Sequence, residues 1–319
     1  MSHPPDVSIV VATYDRLGSL ERTLRSCLTQ TNRLELSIEL VVVDNHPTVS
    51  ARPIVDKLSA EFGAQIAYVH EPRRNMSIVR NTGIQAATGV FVAFIDDDEW
   101  GEPDWLDELV GTLRRTGADI AVGPRLAIFA AGHPPAYDPT GRSFVRDLEL
   151  APDATIRLLN RRGKPCFGLG TGNSIFRKAT CFAEAEPFSL IFGLAGGEDA
   201  ELFARLYAEG CKLAWAAQAR VTEIVPVHRT EIGYRMTRTK REAQHYATIH
   251  LEHTDSPRLV FWTLAAKGVI QLVAGSILSV LTLEFLSRAR IRGRMLIVNG
   301  LGKLTWRRPV GYIEEPSVL

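Results

Sequence analysis

The chain has 319 residues, of which 45% are hydrophobic and 23% charged, which is long enough for one large α/β domain or two smaller ones. Its 37 basic and 36 acidic side chains leave a net charge of +1, which by itself points to no class of partner. The four cysteines show neither metal-ligand spacing nor the pattern of a disulfide framework, so the sequence indicates thiols in a reducing compartment.

The first hundred residues alternate short apolar runs with helical patterns. Apolar, β-branched runs of the kind that buried parallel strands require fall at residues 7–13, 38–44, 64–71 and 90–96. Between them, helical spacing and turn residues predict helices at residues 17–28, 53–62 and 76–88. This alternation predicts a Rossmann-like, doubly wound and mostly parallel α/β sheet, which binds ligands at the carboxyl ends of its strands.

Polar side chains follow three of these strands at the point where each strand ends. They are Thr13-Tyr14-Asp15, Asp44-Asn45 and Asp96-Asp97-Asp98. The aspartate triplet is informative because adjacent carboxylates raise one another's pKa and destabilise a fold unless something neutralises them. A divalent cation bound to a substrate diphosphate would do so, since Mg²⁺ and Mn²⁺ prefer oxygen ligands. The alternative is a solvated acidic turn in which Asp98 or Glu99 caps the next helix.

The middle of the chain continues the alternation of elements. Helical patterns with capping residues fall at residues 104–116 and 196–210, and strand patterns at residues 117–129 and 211–225. The glycine- and proline-rich residues 130–143 are predicted to form a loop. The stretch GLGTGNSIFRK at residues 168–178 is predicted to form a glycine-rich turn that leads into a strand.

Several charged residues have two interpretations when each is taken alone. The guanidinium of Arg80 could meet a base or phosphate, or Arg80 could be a surface arginine on a helix. The carboxylate of Asp44 could accept hydrogen bonds from a base or ribose, or it could form a turn. The pair Glu198-Asp199 could hold a catalytic base or could stabilise the start of its helix.

The C-terminal part of the chain differs in charge and hydropathy. From residue 229 onward there are 14 basic and 7 acidic residues, a balance that indicates an anionic surface such as a membrane or nucleic acid. Residues 268–286 are apolar and long enough to span a bilayer, but basic residues flank both ends. A hairpin or helices in the plane of the membrane therefore fit better than a single span. The alternative is a buried helix pair or dimer contact at residues 259–286.

A helix in this part is predicted to carry Arg235, Arg238 and Arg241 on one side, because they are three residues apart. These arginines could meet a lipid diphosphate or anionic head groups. They could equally form a solvated helix face.

Four stretches in this order and spacing are VSIVVATYDR, VVVDN, RNTGIQAATGVFVAFIDDDE and GGEDAELFARL. Together they resemble the motifs of glycosyltransferase family 2, whose members are inverting enzymes of the GT-A fold. The resemblance covers about residues 6–230. Within the family, the DDDEW-x-x-x-x-W stretch with Trp100 and Trp105, and the GTGNSIFR stretch, are most similar to bacterial exopolysaccharide enzymes of the succinoglycan type.

The resemblance implies a nucleotide-sugar site at the strand ends. Thr13 and Asp15 would lie beside the uridine of a UDP-sugar. Asp44 would bind the uracil or ribose, and Arg80 would approach the base.

The resemblance also implies a metal site in the aspartate triplet. Asp98 would hold Mn²⁺ or Mg²⁺, with Asp96 as a second ligand and His228 as a weaker candidate. Asp96 or Asp97 would contact the ribose and the donor sugar.

Two further groups are implied for the acceptor side. Asp199 would be the catalytic base, which inversion requires because the displacement must remove the proton of the acceptor hydroxyl. Glu198 would contact the acceptor. Trp100, Gly172 and Asn173 would lie at the donor sugar or the acceptor.

The sequence departs from the family pattern in two places. The Q-x-x-R-W motif of processive synthases is absent, and HRTEIGYRMTR stands in its place, which favours one sugar per binding event. Asn75 occupies a position where relatives are expected to carry glycine, so the shape of that loop is open.

We expect a GT-A catalytic domain at residues 1–228, with a nucleotide-binding half at about 1–100 and an acceptor half at about 101–228. Residues 229–319 are expected to form a basic and apolar, helical, membrane-associating region. The N-terminus lacks a basic region before its apolar run and reaches Asp15 quickly, so it is not expected to be a secretory signal.

The expected activity is that of an inverting, metal-dependent, non-processive glycosyltransferase at the cytoplasmic face of a bacterial inner membrane. Its partners would be a UDP-sugar, a polyprenyl-diphosphate-linked glycan and membrane lipids, without nucleic acid. The alternatives are a nucleotidyltransferase of similar fold and an inactive membrane-bound scaffold. The donor sugar, acceptor linkage and oligomeric state stay open.

Overall fold

The computed structural model describes residues 3–158, 169–281 and 288–311. One of the four cysteines, Cys166, and the end of the apolar stretch at residues 268–286 lie outside these ranges. The chain divides into two compact units. The first unit consists of Met1–Ile128, Ser143–Gly193 and Glu198–Ile224, and the second of Phe129–Arg142, Leu194–Gly197 and Val225–Leu319. The second unit thus begins close to the predicted boundary at residue 228 and adds two short earlier segments.

The strands of the described residues form two sheets. They are β1 (Val7–Thr13), β2 (Ile38–Asp44), β3 (Ile66–His70), β4 (Phe91–Phe94), β5 (Glu99–Gly101), β6 (Ile120–Val122), β7 (Arg125–Phe129), β8 (Ser174–Arg177), β9 (Leu213–Trp215) and β10 (Val221–Val225). The seven-stranded sheet has the order β3-β2-β1-β4-β8-β6-β9, in which only β8 is antiparallel to its neighbours. The predicted doubly wound, mostly parallel sheet is confirmed.

The smaller sheet has the order β5-β10-β7 and differs from the prediction. The single strand predicted at residues 117–129 is wrong, because the chain leaves the large sheet after β6 and joins the small one as β7. Gly123 and Pro124 form the break, since proline has no N–H to donate to a ladder. Any Cβ on Gly123 would also overlap the carbonyl oxygen of Ala219. Residues 211–225 likewise form two strands, one in each sheet.

Helices cover both faces of the large sheet. Those of the first unit are α1 (Leu17–Leu28), α2 (Arg52–Phe62), α3 (Met76–Ala86), α4 (Trp105–Thr116), α5 (Lys178–Cys181) and α6 (Glu198–Ala208). Alternate residues of β1 face opposite layers of the core, with Ile9 and Val11 in one apolar cluster and Val10 in the other. Asn75 caps α3, because its side-chain oxygen accepts hydrogen bonds from the amides of Ser77 and Ile78.

In the described part of the second unit lie three long helices, α7 (Ile232–Glu252), α8 (Pro257–Leu281) and α9 (Arg288–Leu304). α9 packs against both α7 and α8. Among the described helices, α8 is the one long and apolar enough to cross a membrane, and only 17% of its apolar window is buried. Of the three arginines of α7, Arg241 is buried and donates to the Gly311 carbonyl, so the interpretation as a solvated helix face is wrong for this residue.

Candidate active site

The predicted polar clusters lie along one edge of the large sheet. β1 and β2 are in register, so Thr13 lies opposite Asp44. β4 pairs with the other side of β1 and ends just before the aspartate triplet. Thr13 Oγ1 donates a 2.8 Å hydrogen bond to Asp97 Oδ2, which joins the ends of the two strands.

The aspartate triplet is partly neutralised by a cation of the protein. The Arg16 guanidinium lies 3.1 Å from Asp97 Oδ1 and 2.6 Å from Asp98 Oδ2. Burial raises the pKa of Asp97 to about 6, although Arg16 opposes this effect. The triplet does not cap the next helix, because α4 begins at Trp105 with Asp104 at its N-cap position. The interpretation as an acidic helix cap is therefore wrong.

Arg80 links the end of β4 to the start of α6. Its buried guanidinium donates to Glu198 Oε1, lies 2.7 Å from Asp199 Oδ1 and lies 4.0 Å from Asp96 Oδ1. Burial disfavours the charge of Arg80, but Asp199, Glu198 and Asp96 outweigh it and raise the pKa of Arg80 above its ordinary value. The interpretation of Arg80 as a surface arginine is wrong, and α3 places a fixed cation among three carboxylates.

The two oxygens of Asp199 have different surroundings. Thr171 Oγ1 donates a 2.8 Å hydrogen bond to Oδ1, the same oxygen that Arg80 approaches. Oδ2 lies 3.4 Å from the point that a Cβ on Gly170 would occupy. Burial raises the pKa of Asp199, while Arg80 opposes the rise and Glu198 adds to it. A carboxylate with one oxygen held by the protein and the other turned toward a glycine can accept a proton from a hydroxyl group.

Residues 170–173, the glycine loop, are held by Arg146, which the sequence analysis missed. Arg146 Nη1 donates a 2.8 Å hydrogen bond to the Gly170 carbonyl, and Nη2 donates to the Gly172 carbonyl. Burial lowers the pKa of Arg146 to about 10. A Cβ on Gly172 would lie 2.6 Å from Asp96 Oδ2, so this loop packs directly on the acidic strand end.

Asn173 anchors the glycine loop from inside the protein. It is fully buried with a φ of 56°, and its Oδ1 accepts a 2.7 Å hydrogen bond from Trp105 Nε1. Its Nδ2 donates to the carbonyls of Pro124 and Ala219, each at 2.7 Å. These contacts give Asn173 a positioning role, and its contact with a sugar stays a prediction.

A second charged pair that the sequence did not reveal lies beside Asp96. Glu99 on β5 is 1% exposed, and its Oε1 has no hydrogen-bond partner among the described residues. Arg125 Nη1 lies 3.9 Å from that oxygen, and Arg125 Nε lies 3.4 Å from Glu223 Oε2. Burial raises the pKa of Glu99 well above its ordinary value, Asp96 adds to the rise, and Arg125 opposes it. The small sheet thus places three charged side chains, Glu99, Arg125 and Glu223, beside the acidic strand end.

Asp44 has a structural environment at the end of β2. It is fully buried and accepts 2.8 Å hydrogen bonds from the Tyr68 hydroxyl and the Ala51 amide, and a 3.0 Å bond from the His46 amide. Asp44 therefore fixes the turn between β2 and α2. Its contact with a base or ribose stays a prediction.

Three other predicted residues lie in separate surroundings. Asp15 is exposed with a φ of 50° in the turn after β1. The guanidinium of Arg22 lies 5.0 Å from the ring centroid of Trp100. His228 lies in the second unit, where its ring meets that of Tyr234 edge-on at 5.9 Å. Their predicted roles in nucleotide, sugar and metal binding stay predictions.

The donor set fits a metal only if the substrate completes the coordination. Within the described ranges, no group of three or more His, Cys, Asp or Glu side chains is arranged to hold a metal ion. Asp96 and Asp98 offer two carboxylates at the strand end, and Asp98 already attracts the cation of Arg16. Mg²⁺ at phosphate-handling sites commonly uses one or two carboxylates together with substrate phosphates. These residues therefore fit a metal shared with a diphosphate.

The fold is that of the GT-A glycosyltransferases. The structure of residues 1–349 of TarS from S. aureus in complex with UDP has a TM-score of 0.56 and 16% identity, and the match covers 95% of this chain and 91% of that one. The mannosyltransferase PcManGT from Pyrobaculum calidifontis, in complex with GDP-Man and Mn²⁺, has a TM-score of 0.57 and 17% identity, with coverage of 95% and 88%. At this identity the likeness concerns the fold alone.

Comparison of sequences gives the family. The model of glycosyl transferase family 2 matches residues 8–181. The succinoglycan biosynthesis protein ExoM of Rhizobium meliloti (strain 1021) is 31% identical over 264 residues, which cover 82% of this chain and 80% of ExoM. The putative glycosyltransferase EpsH of Bacillus subtilis (strain 168) is 29% identical over 145 residues, which cover 45% of this chain and 38% of EpsH. The chain belongs to glycosyl transferase family 2 and is a glycosyltransferase.

Proposed function

We propose that this enzyme transfers single sugars, with inversion, from a UDP-sugar to a polyprenyl-diphosphate-linked glycan in the synthesis of a bacterial exopolysaccharide or cell-surface glycan. The observation that carries the proposal is the contact of Arg80 with Asp199 and Asp96, which brings a candidate base to the acidic strand end. The similarity to ExoM supports the exopolysaccharide context. The absence of a Q-x-x-R-W motif supports single transfers.

Asp199 acts as the general base of the transfer. Because Thr171 and Arg80 hold Oδ1, the acceptor hydroxyl gives its proton to Oδ2. The hydroxyl oxygen forms a bond to the anomeric carbon of the donor while the bond from that carbon to phosphate breaks. The diphosphate leaves with the electron pair, and attack from the opposite face inverts the configuration. Glu198, held by Arg80, contacts the acceptor.

The nucleotide of the donor binds along the ends of β1 and β2, at Thr13, Asp15 and Asp44. The fold likeness to TarS in complex with UDP supports a uridine donor. PcManGT has a similar fold in complex with GDP-Man, so the fold alone does not determine which nucleotide base the donor carries. Uridine is therefore proposed from the family resemblance, with Asp96 or Asp97 at the ribose and sugar.

Asp98 and Asp96 would hold the metal, Mn²⁺ or Mg²⁺, together with the substrate diphosphate. When bound, the metal would stabilise the negative charge that the departing diphosphate carries. The Mn²⁺ in the PcManGT complex supports a divalent metal in this fold. Arg16 and Arg80 supply the fixed positive charge of the protein around the same carboxylates.

The second unit attaches the enzyme to the cytoplasmic face of the inner membrane, where a lipid-linked acceptor is located. The apolar, mostly exposed α8 supports this attachment. The excess of basic residues after residue 228 supports contact with anionic lipids.

Replacement of the base tests the proposal. Asp199→Asn removes the proton acceptor, so we expect kcat to fall by about 10² to 10⁴-fold while the protein stays folded. The assay incubates the full chain with UDP-glucose and then other UDP-sugars, Mn²⁺ and a polyprenyl-diphosphate-linked acceptor, and measures release of UDP. The anomeric configuration of the product, read by NMR, tests inversion.

The matched control is Asp56→Asn, which removes an exposed carboxylate that pairs with Arg52 in α2. It should keep wild-type turnover. Full activity of the Asp199→Asn enzyme would contradict the role of Asp199. Release of glucose 1-phosphate from UDP-glucose, instead of UDP, would show transfer of the uridylyl group and identify a nucleotidyltransferase. No turnover of any UDP-sugar would favour an inactive scaffold.

A further inference from the structure

The outer face of α8 is a continuous apolar surface. Leu259, Trp262, Val273, Ile277 and Val280 are 69%, 69%, 54%, 54% and 76% exposed, and their spacing of three, four, seven and eleven residues places them on one side of the helix. No exposed residue from 259 to 281 is charged. A monomeric soluble protein rarely exposes an apolar surface of this extent.

The inner face of α8 is fixed to α9 at backbone distance. A Cβ on Gly275 would lie 2.5 Å from the Gly293 carbonyl oxygen, and a Cβ on Gly300 would lie 2.5 Å from the Gly268 carbonyl oxygen. These two antiparallel glycine pairs are seven residues apart on each helix, or about 10 Å along the axis. The two helices therefore behave as one glycine-packed hairpin.

α9 is a poor candidate for the interior of a bilayer. It carries basic residues and no acidic residue, and Arg292 is exposed while Arg294 and Lys303 are partly or largely buried. A charged side chain at the centre of a bilayer is costly. If α8 crossed a membrane, the glycine pairs would carry the basic residues of α9 into the hydrocarbon with it.

We propose that α8 lies in the plane of an anionic membrane, with its outer face at the boundary of head groups and acyl chains, and does not cross the bilayer. This inference rests on the membrane attachment in the proposed function and adds the orientation of α8 relative to the bilayer. An interfacial helix usually carries a basic face of its own, and here α9, packed on the inner face of α8, supplies the basic residues instead. Basic residues exceed acidic ones from residue 229 onward, so we expect the membrane that covers the outer face of α8 to contain anionic lipid.

The first test measures binding of the full chain to vesicles by sedimentation. We expect binding to phosphatidylglycerol–phosphatidylcholine vesicles, weakening with salt, and little binding to phosphatidylcholine alone. Val273→Glu places a charge in the outer face and should lower the partition at least about tenfold. Val90→Glu adds the same charge at a 46% exposed valine of the first unit and should leave the partition unchanged.

The second test measures depth. The fluorescence of a tryptophan in α8 is quenched by lipids brominated at different depths. The tryptophan is Trp262 or one introduced as Val273→Trp or Val280→Trp. The variant Trp262→Phe gives the background fluorescence of the other tryptophans. An in-plane helix gives the same shallow depth, about 5–10 Å, at all three positions. Deep quenching at 273 with shallow quenching at 262 and 280 would show a spanning helix and overturn the proposal. A dimer in solution that binds no vesicles would assign the face to a second copy and also overturn it.

Neither vesicle test contains donor or acceptor, so its outcome is independent of the glycosyl-transfer assay. Val273→Glu should keep the release of UDP from a UDP-sugar with a water-soluble acceptor analogue. Loss of vesicle binding with retained turnover supports the inference. Vesicle binding without any turnover would leave the geometry of α8 intact and contradict the proposed activity.

Discussion

At the scale of single residues, the site depends on arginines whose partners are distant in sequence. Arg80 could be singled out because it precedes the aspartate strand within a recognisable motif. Arg146 has no such signal, because its role comes from contacts with Gly170 and Gly172, made across the fold. The motif residues Thr13 and Asp96 were therefore predictable, whereas the group that positions the glycine loop was not.

Arg146 offers a test of that positioning role. Lysine keeps the charge but loses the planar fork that reaches the Gly170 and Gly172 carbonyls. The glycine loop also carries Thr171, which holds Asp199. We expect Arg146→Lys to lower kcat by about 10 to 100-fold with little change in the KM for the donor, because a small misplacement of a catalytic group is costly. Steady-state kinetics with varied donor measure both constants.

The matched control is Arg115→Lys, which breaks the fork of Arg115 on Asp153 in the same unit. It should leave kcat unchanged. Equal losses from both substitutions would mean that Arg146 acts only through general stability, and an unchanged kcat in Arg146→Lys would contradict the positioning role.

At the scale of elements, apolar runs predict the strands buried on both faces but not the short strands at the edge. β1 and β2 are rich in valine and isoleucine, and both were predicted at their observed bounds. β5 has three residues and exists because it pairs with β10, so only the tertiary contact defines it. The antiparallel direction of β8 also depends on where the chain enters the sheet, which no local pattern encodes.

The start of α6 is set by an unusual backbone turn. Gly196 and Gly197 have φ values of 86° and 94°, and a Cβ on Gly197 would lie 2.7 Å from Cγ of His245 on α7. Glu198 follows directly. The helix predicted at residues 196–210 therefore started two residues too early, because left-handed glycines cannot continue a right-handed helix.

Gly197→Ala tests whether this turn sets the base-bearing helix. Alanine would be strained in the left-handed backbone conformation, and its Cβ would clash with the imidazole of His245. We therefore expect the free energy of unfolding to fall by about 1–3 kcal/mol, and kcat to fall as well. Gly210→Ala is the control, because Gly210 has a φ of 95° but nothing within 4 Å of its Cβ position. Urea unfolding measures the stability of each variant, and the rate of UDP release measures its kcat. Equal kcat in the two variants would contradict the importance of the Gly197–His245 contact.

At the scale of the whole molecule, the contrast in charge between the two parts of the chain was visible from composition. The basic excess falls after residue 228, and the acidic excess before it includes the aspartate triplet. The structure adds that two short segments, Phe129–Arg142 and Leu194–Gly197, belong to the second unit. A linear reading could not reveal this, because contacts far along the chain assign those segments.

The response of the whole chain to ligand follows from the three carboxylates at the acidic strand end. Asp96, Asp97 and Asp98 repel one another, and Arg16 and Arg80 offset this repulsion, so Mn²⁺ together with UDP should add to that compensation and stabilise the folded state. At a hundredfold excess over Kd, the gain is about 2.7 kcal/mol, which for a chain of 319 residues corresponds to a rise in Tm of about 4 °C. The measurement is the Tm of the full chain under three conditions: with UDP and Mn²⁺, with UDP and EDTA, and with Mn²⁺ alone. The comparison shows whether metal and nucleotide stabilise the fold jointly.

Asp98→Asn should abolish the joint effect of metal and nucleotide on Tm, while the control Asp56→Asn should retain it. An equal rise with UDP in EDTA would mean that the nucleotide binds without metal, and the carboxylates at the end of β4 would then need another role.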